Sequence, residues 1–133
     1  MTILIVDDEP SVLRFMAAIV RTAGYEVLLA DGGDEALAIC KSPASGIDLM
    51  ISDVAMPRMN GSALAECMNQ KYPDVPIVFV SGYPESRVIV AGLTTRGFKN
   101  GYTYLQKPFT AQEFLRVIKT AVRTTAKVSV PTA

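Results

Sequence analysis

The 133-residue sequence contains no histidine, only two cysteines and no net charge. Without histidine, the chain offers no imidazole general base and no histidine phosphocarrier of its own. Cys40 and Cys67 lie in helical patterns without close partner spacing. That fits buried thiols in a reducing, cytoplasmic setting rather than a disulfide framework or a redox pair. No Cys or His cluster is available for zinc. Hydrophobic residues make up 50% of the chain, yet no apolar run approaches the roughly 18 residues that a membrane span needs. Membrane insertion is therefore not expected. The apolar start, Met1 to Val6, lacks a basic stretch and runs straight into Asp7-Asp8-Glu9, which does not fit a signal peptide. The zero charge balance hides an asymmetry: residues 1–66 carry ten acids against four bases, and residues 67–133 three acids against nine bases. The bases of the second half are scattered, and no aromatic residues are interleaved among them in a stacking pattern. They read as solvated helix faces, with no direct nucleic-acid contact.

What the chain does have is a fivefold alternation of apolar runs with helical patterns, the signature of βαβ units and a parallel sheet within one domain. The strands are expected at Thr2 to Val6, Glu26 to Ala30, Ile47 to Ser52, Val75 to Val80 and Tyr102 to Gln106. Pro10 opens the first helix, with Val12, Leu13, Met16, Ala17 and Val20 on one stripe, and Gly24 stops it. Ala36, Leu37 and Cys40 mark the second helix; Leu64, Cys67 and Met68 mark the third, which Pro73 ends. Val88, Ile89 and Leu93 keep a helical rhythm within residues 84–97, but Gly92, Thr94, Thr95 and Gly97 weaken it, so a short or mobile fourth helix is expected there. The last helix is announced by Thr110 and Glu113 as a capping box and by Phe109 and Phe114 as a hydrophobic staple. Leu115, Ile118 and Val122 continue its inner face, and residues 124–133 are expected to form a C-terminal tail or linker.

The third apolar run ends on Asp53 and then turns. Taken alone, that aspartate serves equally well as a turn cap or as a ligand at the carboxyl end of a buried strand. The other strand ends weigh on the choice: Asp7 and Asp8 follow the first, Ser81 the fourth and Lys107 the fifth. In a sheet ordered 2-1-3-4-5 the first and third strands are neighbours, so three carboxylates converge. Such a cluster resists full ionisation without a cation, and Mg2+ suits a few oxygen ligands, retained waters and phosphate chemistry. Calcium would want more ligands than these. A carboxylate nucleophile, a lysine and a small hydroxyl donor beside a glycine are what phosphoryl transfer onto an aspartate requires, and Asp53 is the best-placed acceptor.

The set Asp7-Asp8, Asp53 with Met56-Pro57 and Gly61, Ser81-Gly82, and Lys107-Pro108-Phe109 closely resembles the receiver domain of two-component response regulators, over about residues 2 to 123. The resemblance implies a flavodoxin-like α/β domain at 1–123: a doubly wound five-stranded parallel sheet with five flanking helices. It implies phosphorelay signal transduction, in which Asp53 takes a phosphoryl group from the phosphohistidine of a sensor histidine kinase or histidine phosphotransfer domain. Asp8 and Asp53, with the backbone carbonyl of Ala55, would hold Mg2+ directly, and Asp7 would act through metal-bound water. Ser81 and Lys107 would engage the phosphoryl oxygens, and Tyr104 falls at the switch aromatic, which turns inward as Ser81 moves. The fourth helix, fifth strand and fifth helix would form a readout face for a downstream protein or a dimer. Such a domain catalyses only its own phosphorylation and dephosphorylation.

Some positions depart from the commonest pattern. Ser81 replaces a more frequent threonine but keeps the hydroxyl; Ala55 and Tyr83 stand two beyond Asp53 and Ser81, where the family varies its side chains. The interval from Ser81 to Lys107 is longer than usual. The stretch Ser81-Gly82-Tyr83-Pro84-Glu85 resembles receivers attached to hybrid histidine kinases, which points to an excised module. Three rivals fit less well. A phosphatase of the haloacid-dehalogenase type needs an acid two residues past its aspartate, where this chain has Ala55. A flavin or nucleotide module would want a phosphate cradle after the first strand, where Asp7-Asp8-Glu9 repels phosphate. A degenerate receiver would lack part of the constellation.

Overall fold

In the computed structural model each of the five apolar runs is a strand: β1 (Thr2–Val6), β2 (Glu26–Ala30), β3 (Ile47–Asp53), β4 (Ile77–Ser81) and β5 (Thr103–Gln106). The structure describes residues 1–42, 46–54, 61–85 and 102–129, as backbone only at 61–62 and 123–129. All strand pairs are parallel, and the order is β2-β1-β3-β4-β5. This is the expected flavodoxin-like, doubly wound sheet. Four helices flank it among the described residues: α1 (Pro10–Thr22), α2 (Gly33–Lys41), α3 (Gly61–Lys71) and α4 (Ala111–Ser129). A fifth helix, expected within 84–97, falls almost wholly outside the described residues.

Strands this apolar need cover on both faces, and side chains alternate across the sheet to provide two cores. Leu4, Val6, Met50 and Phe79 pack with Ala36, Cys40, Leu64, Ala65 and Met68 from α2 and α3. Ile3, Ile5, Leu49, Ile51, Val78 and Val80 pack with Met16, Ala17 and Val20 of α1 and Phe114, Ile118 and Ala121 of α4. Within the expected stripes, Val12, Leu13, Leu37 and Val122 are partly rather than fully buried. Cys67 is at the edge of the α3 stripe, half-buried, and Ala65 takes the inner place expected for it.

Local signals act as the sequence leads one to expect. Pro10 begins α1, where its missing N–H has no helical partner to lose. Gly24, at φ 94°, follows the end of α1 in a left-handed conformation that other residues adopt at a cost, and donates to the Arg21 carbonyl at 2.9 Å. At α4 the capping box is reciprocal: Thr110 N–H donates to Glu113 Oε1 at 3.0 Å, and Glu113 N–H to Thr110 Oγ1 at 3.1 Å. Phe109 stacks on Phe114 with ring centroids 5.1 Å apart, closing the staple.

Two boundaries move by more than one residue. β4 starts at Ile77 rather than Val75, because Pro76 has no N–H for the ladder and contributes only its carbonyl, which accepts from Met50 N–H at 3.1 Å. α4 continues past Arg123 to Ser129, so a tail beginning at residue 124 is not what the backbone does. Nothing in the sequence between Arg123 and Ser129 breaks a helix.

Candidate functional site

The register of the sheet assembles the site. Val6 pairs with Ser52, so Asp7 and Asp53 are the next residues of adjacent strands. Asp53 pairs with Val80 and Ser81 with Gln106, which brings Ser81 and then Lys107 to the same edge. Lys107 N–H donates to the Ser81 carbonyl at 2.6 Å, extending the ladder by one step. The five residues singled out at the strand ends thus share one end of the sheet.

One carboxylate oxygen from each of Asp7, Asp8 and Asp53 lies within 4.8 Å of the others. Asp7 and Asp53 are buried, whereas Asp8 is exposed. Asp7 is held at both oxygens: Oδ1 accepts the Glu9 N–H at 2.9 Å, and Oδ2 pairs with Lys107 Nζ at 3.1 Å. The same ammonium stands 3.7 Å from Asp53 Oδ1. Burial pushes the Asp53 carboxyl up to about 6; Lys107 opposes the rise, and the charges of Asp7 and Asp8 add to it. A carboxylate disfavoured in this way by burial and by neighbouring charge is relieved by a cation, and three hard oxygen donors this close together fit a divalent metal. The cluster can therefore hold one.

Ser81 is buried at the end of β4, and its Oγ accepts the Tyr83 N–H at 3.1 Å. Tyr104, half-buried on β5, donates its hydroxyl to the Tyr83 carbonyl at 2.6 Å. Burial raises the Tyr104 phenol above its ordinary value; a hydrogen bond with the Ser81 hydroxyl opposes the rise, and the charges of Glu85 and Asp53 add to it. The two residues expected to act as a switch therefore meet through Tyr83. Ala55, expected to offer its carbonyl to the metal, lies outside the described residues, as does Met56-Pro57.

Two relationships were not foreseen. Lys107 pairs with Asp7 more closely than with Asp53. Tyr102, two residues before Tyr104 and on the same face of the chain, donates its hydroxyl to the Glu85 carboxylate. The spacing of Tyr102 and Tyr104 was a visible signal; the partner was not.

Residues 3–119 match the family model for the response regulator receiver domain. The chain is 32% identical over 118 residues to the sensor kinase CckA of Brucella abortus, covering 89% of this chain and 12% of that protein. It is 31% identical over 124 residues to the nitrogen assimilation regulatory protein NtrX of Azorhizobium caulinodans, covering 92% and 26%. The chain thus spans only a small part of these relatives. Among solved structures, a CheY-like receiver domain protein from Methanospirillum hungatei superposes with a TM-score of 0.83 at 29% identity, covering 96% of this chain and 98% of that one. The receiver domain of the hybrid histidine kinase CckA does so with a TM-score of 0.75 at 34% identity, covering 92% and 99%. Sheet order, strand-end acids and the match over residues 3–119 agree, and the chain belongs to the family of response regulator receiver domains, the modules of two-component phosphorelay signalling.

Proposed function

We propose that this chain is switched by a phosphoryl group on Asp53, taken from the phosphohistidine of a sensor histidine kinase or of a histidine phosphotransfer domain. The observation that carries the reading is the placement of a buried carboxylate beside two other acids, with their oxygens within 4.8 Å, and beside an ammonium at 3.7 Å. An Asp53 carboxylate oxygen attacks phosphorus, the phosphorus–nitrogen bond of the donor breaks, and its electron pair stays on the imidazole, which takes up a proton. Mg2+, when bound, neutralises charge on the phosphoryl oxygens. Asp8 and Asp53 would hold it directly, with the Ala55 carbonyl that the resemblance implies, and Asp7, whose oxygens are engaged by Glu9 N–H and Lys107, would support it from behind. Lys107 moves onto one phosphoryl oxygen and Ser81 donates to another.

The chain acts on itself only and turns over no outside substrate. Phosphorylation biases two arrangements of the Ser81 loop and Tyr104. The readout face comprises the segment expected to form the extra helix, β5 and the last helix, and it contacts a downstream protein or a second copy, without nucleic acid. The working module is the domain matched over residues 3–119, together with the last helix that runs on from it, in the cytoplasm. Among the described residues no helix is long and apolar enough to cross a membrane.

Incubation with Mg2+ and acetyl phosphate should yield one acid-stable, base-labile phosphoryl adduct. Labelling of Asp53→Asn to the wild-type extent, or labelling indifferent to a chelator, would overturn the reading.

A further inference from the structure

The segment that follows β4 is laid against β5 by two rungs. The first is a closed ring: Tyr83 N–H donates to Ser81 Oγ at 3.1 Å, Tyr104 donates its hydroxyl to the Tyr83 carbonyl at 2.6 Å, and the Ser81 hydroxyl bonds the Tyr104 phenol. That last bond opposes the rise of the phenol pKa, so Ser81 is its donor. A serine has one proton to give, and here Tyr104 holds it. The second rung lies outside the ring. Two residues beyond Tyr83, the Glu85 carboxylate accepts from the Tyr102 hydroxyl. Tyr102 is anchored in turn, since its ring meets the fully buried Phe79 of β4 edge-on, with centroids 5.6 Å apart.

We propose that the hydrogen bond between Tyr102 and Glu85 is a latch on the unphosphorylated arrangement: it holds the segment after β4 against β5 and so opposes the release of Ser81 toward the phosphoryl group. The inference rests on the roles given to Asp53 and Ser81 above. For Ser81 to donate to a phosphoryl oxygen its bond to Tyr104 must open, and a loop that carries Ser81 toward Asp53 draws Tyr83 and Glu85 off β5 with it. Tyr102, fixed by its ring, does not follow. A bond made in only one of two arrangements lowers the apparent affinity of any ligand that selects the other. The Tyr102 phenol is pushed up to about 12, chiefly by the Glu85 hydrogen bond, so it remains a donor throughout the neutral range. Neither side chain takes part in the transfer itself.

Calorimetric titration of beryllofluoride into the full chain in the presence of Mg2+ tests this. Tyr102→Phe keeps the ring against Phe79 and removes only the hydroxyl; it should tighten beryllofluoride binding about fivefold, the order expected for one hydrogen bond lost from the competing arrangement. Glu85→Ala should tighten it equally and the double variant no further, since the two substitutions remove one bond. Glu85→Gln separates the bond from the charge: its amide still accepts, so it should bind as wild type does. Unchanged or weakened affinity in Tyr102→Phe would overturn the latch, as would additive gains in the double variant or a gain in Glu85→Gln equal to that in Glu85→Ala. A wild-type chain that binds no beryllofluoride would overturn the reading of Asp53, and the latch with it.

Discussion

The ammonium of Lys107 lies closer to Asp7, at 3.1 Å, than to Asp53, at 3.7 Å. Asp7 therefore keeps this ammonium beside the acceptor, rather than locked onto it. A lysine shared in this way can shift to a new anion by a small rotation of a flexible stem. It also opposes the rise that burial imposes on the Asp53 pKa.

Lys107→Met removes the one charge that opposes the rise in the Asp53 pKa, so Asp53 should titrate above the wild-type value of about 6 in the absence of metal. Carbon-detected NMR of the carboxyl group reads this directly. Labelling by acetyl phosphate should slow by about 10² to 10³, the cost of one lost preorganised donor.

The elevated Asp53 pKa has a stability consequence with a definite sign. Its folded value, about 6, exceeds the ordinary aspartate value of 3.8, so the folded state binds more protons between them. Ionised Asp53 thus costs stability above about pH 6, and the cost vanishes below about pH 4. In metal-free buffer at pH 8, Asp53→Asn should be more stable than wild type by ~2 kcal/mol, with the difference closing as the pH falls toward 4. Urea unfolding at the two pH values checks the sign.

Mg2+ should reverse that order. A ligand of the folded state at 100 times its dissociation constant adds about 2.7 kcal/mol, and Asp8→Asn or Asp53→Asn removes an oxygen donor from the cluster. Wild type should therefore gain stability on Mg2+ addition and both variants much less, in denaturant midpoints measured with and without chelator.

Far from the acids, the capping box of α4 offers an independent check. Thr110→Ala should cost about 1 kcal/mol by orphaning the Glu113 amide. Glu113 itself is held below the usual carboxylate value by the Thr110 backbone and side-chain hydrogen bonds. Its contribution is present above its unfolded pKa and fades as the pH falls through the folded one, so the Thr110→Ala penalty should shrink in acid.

Much of this fold could be read in advance because its cues are local. Each apolar run is bounded by a turn residue, and Asp7, Asp53, Ser81 and Lys107 sit at or just past those bounds. Parallel topology then carries them to one edge. What could not be read were the pairings: Lys107 and Asp7 stand 100 residues apart, and Glu85 and Tyr102 stand 17 apart, with no periodic pattern to connect them. The strand start displaced by Pro76 and the helix that runs on to Ser129 failed for the opposite reason. There a local signal was present, the imino acid in one case and the lack of a breaker in the other, and the apolar count or polar composition outweighed it.

The alternation of side chains also divides labour between the two sides of the sheet. Tyr102 and Tyr104 pack against the cluster shared with α2 and α3, whereas Leu105 and Phe109 pack against the one shared with α1 and α4. A protein engineer can therefore treat the domain as a two-sided board: the α1 and α4 side can be repacked or tethered to a foreign module while the tyrosines that answer to Ser81 keep their own bed.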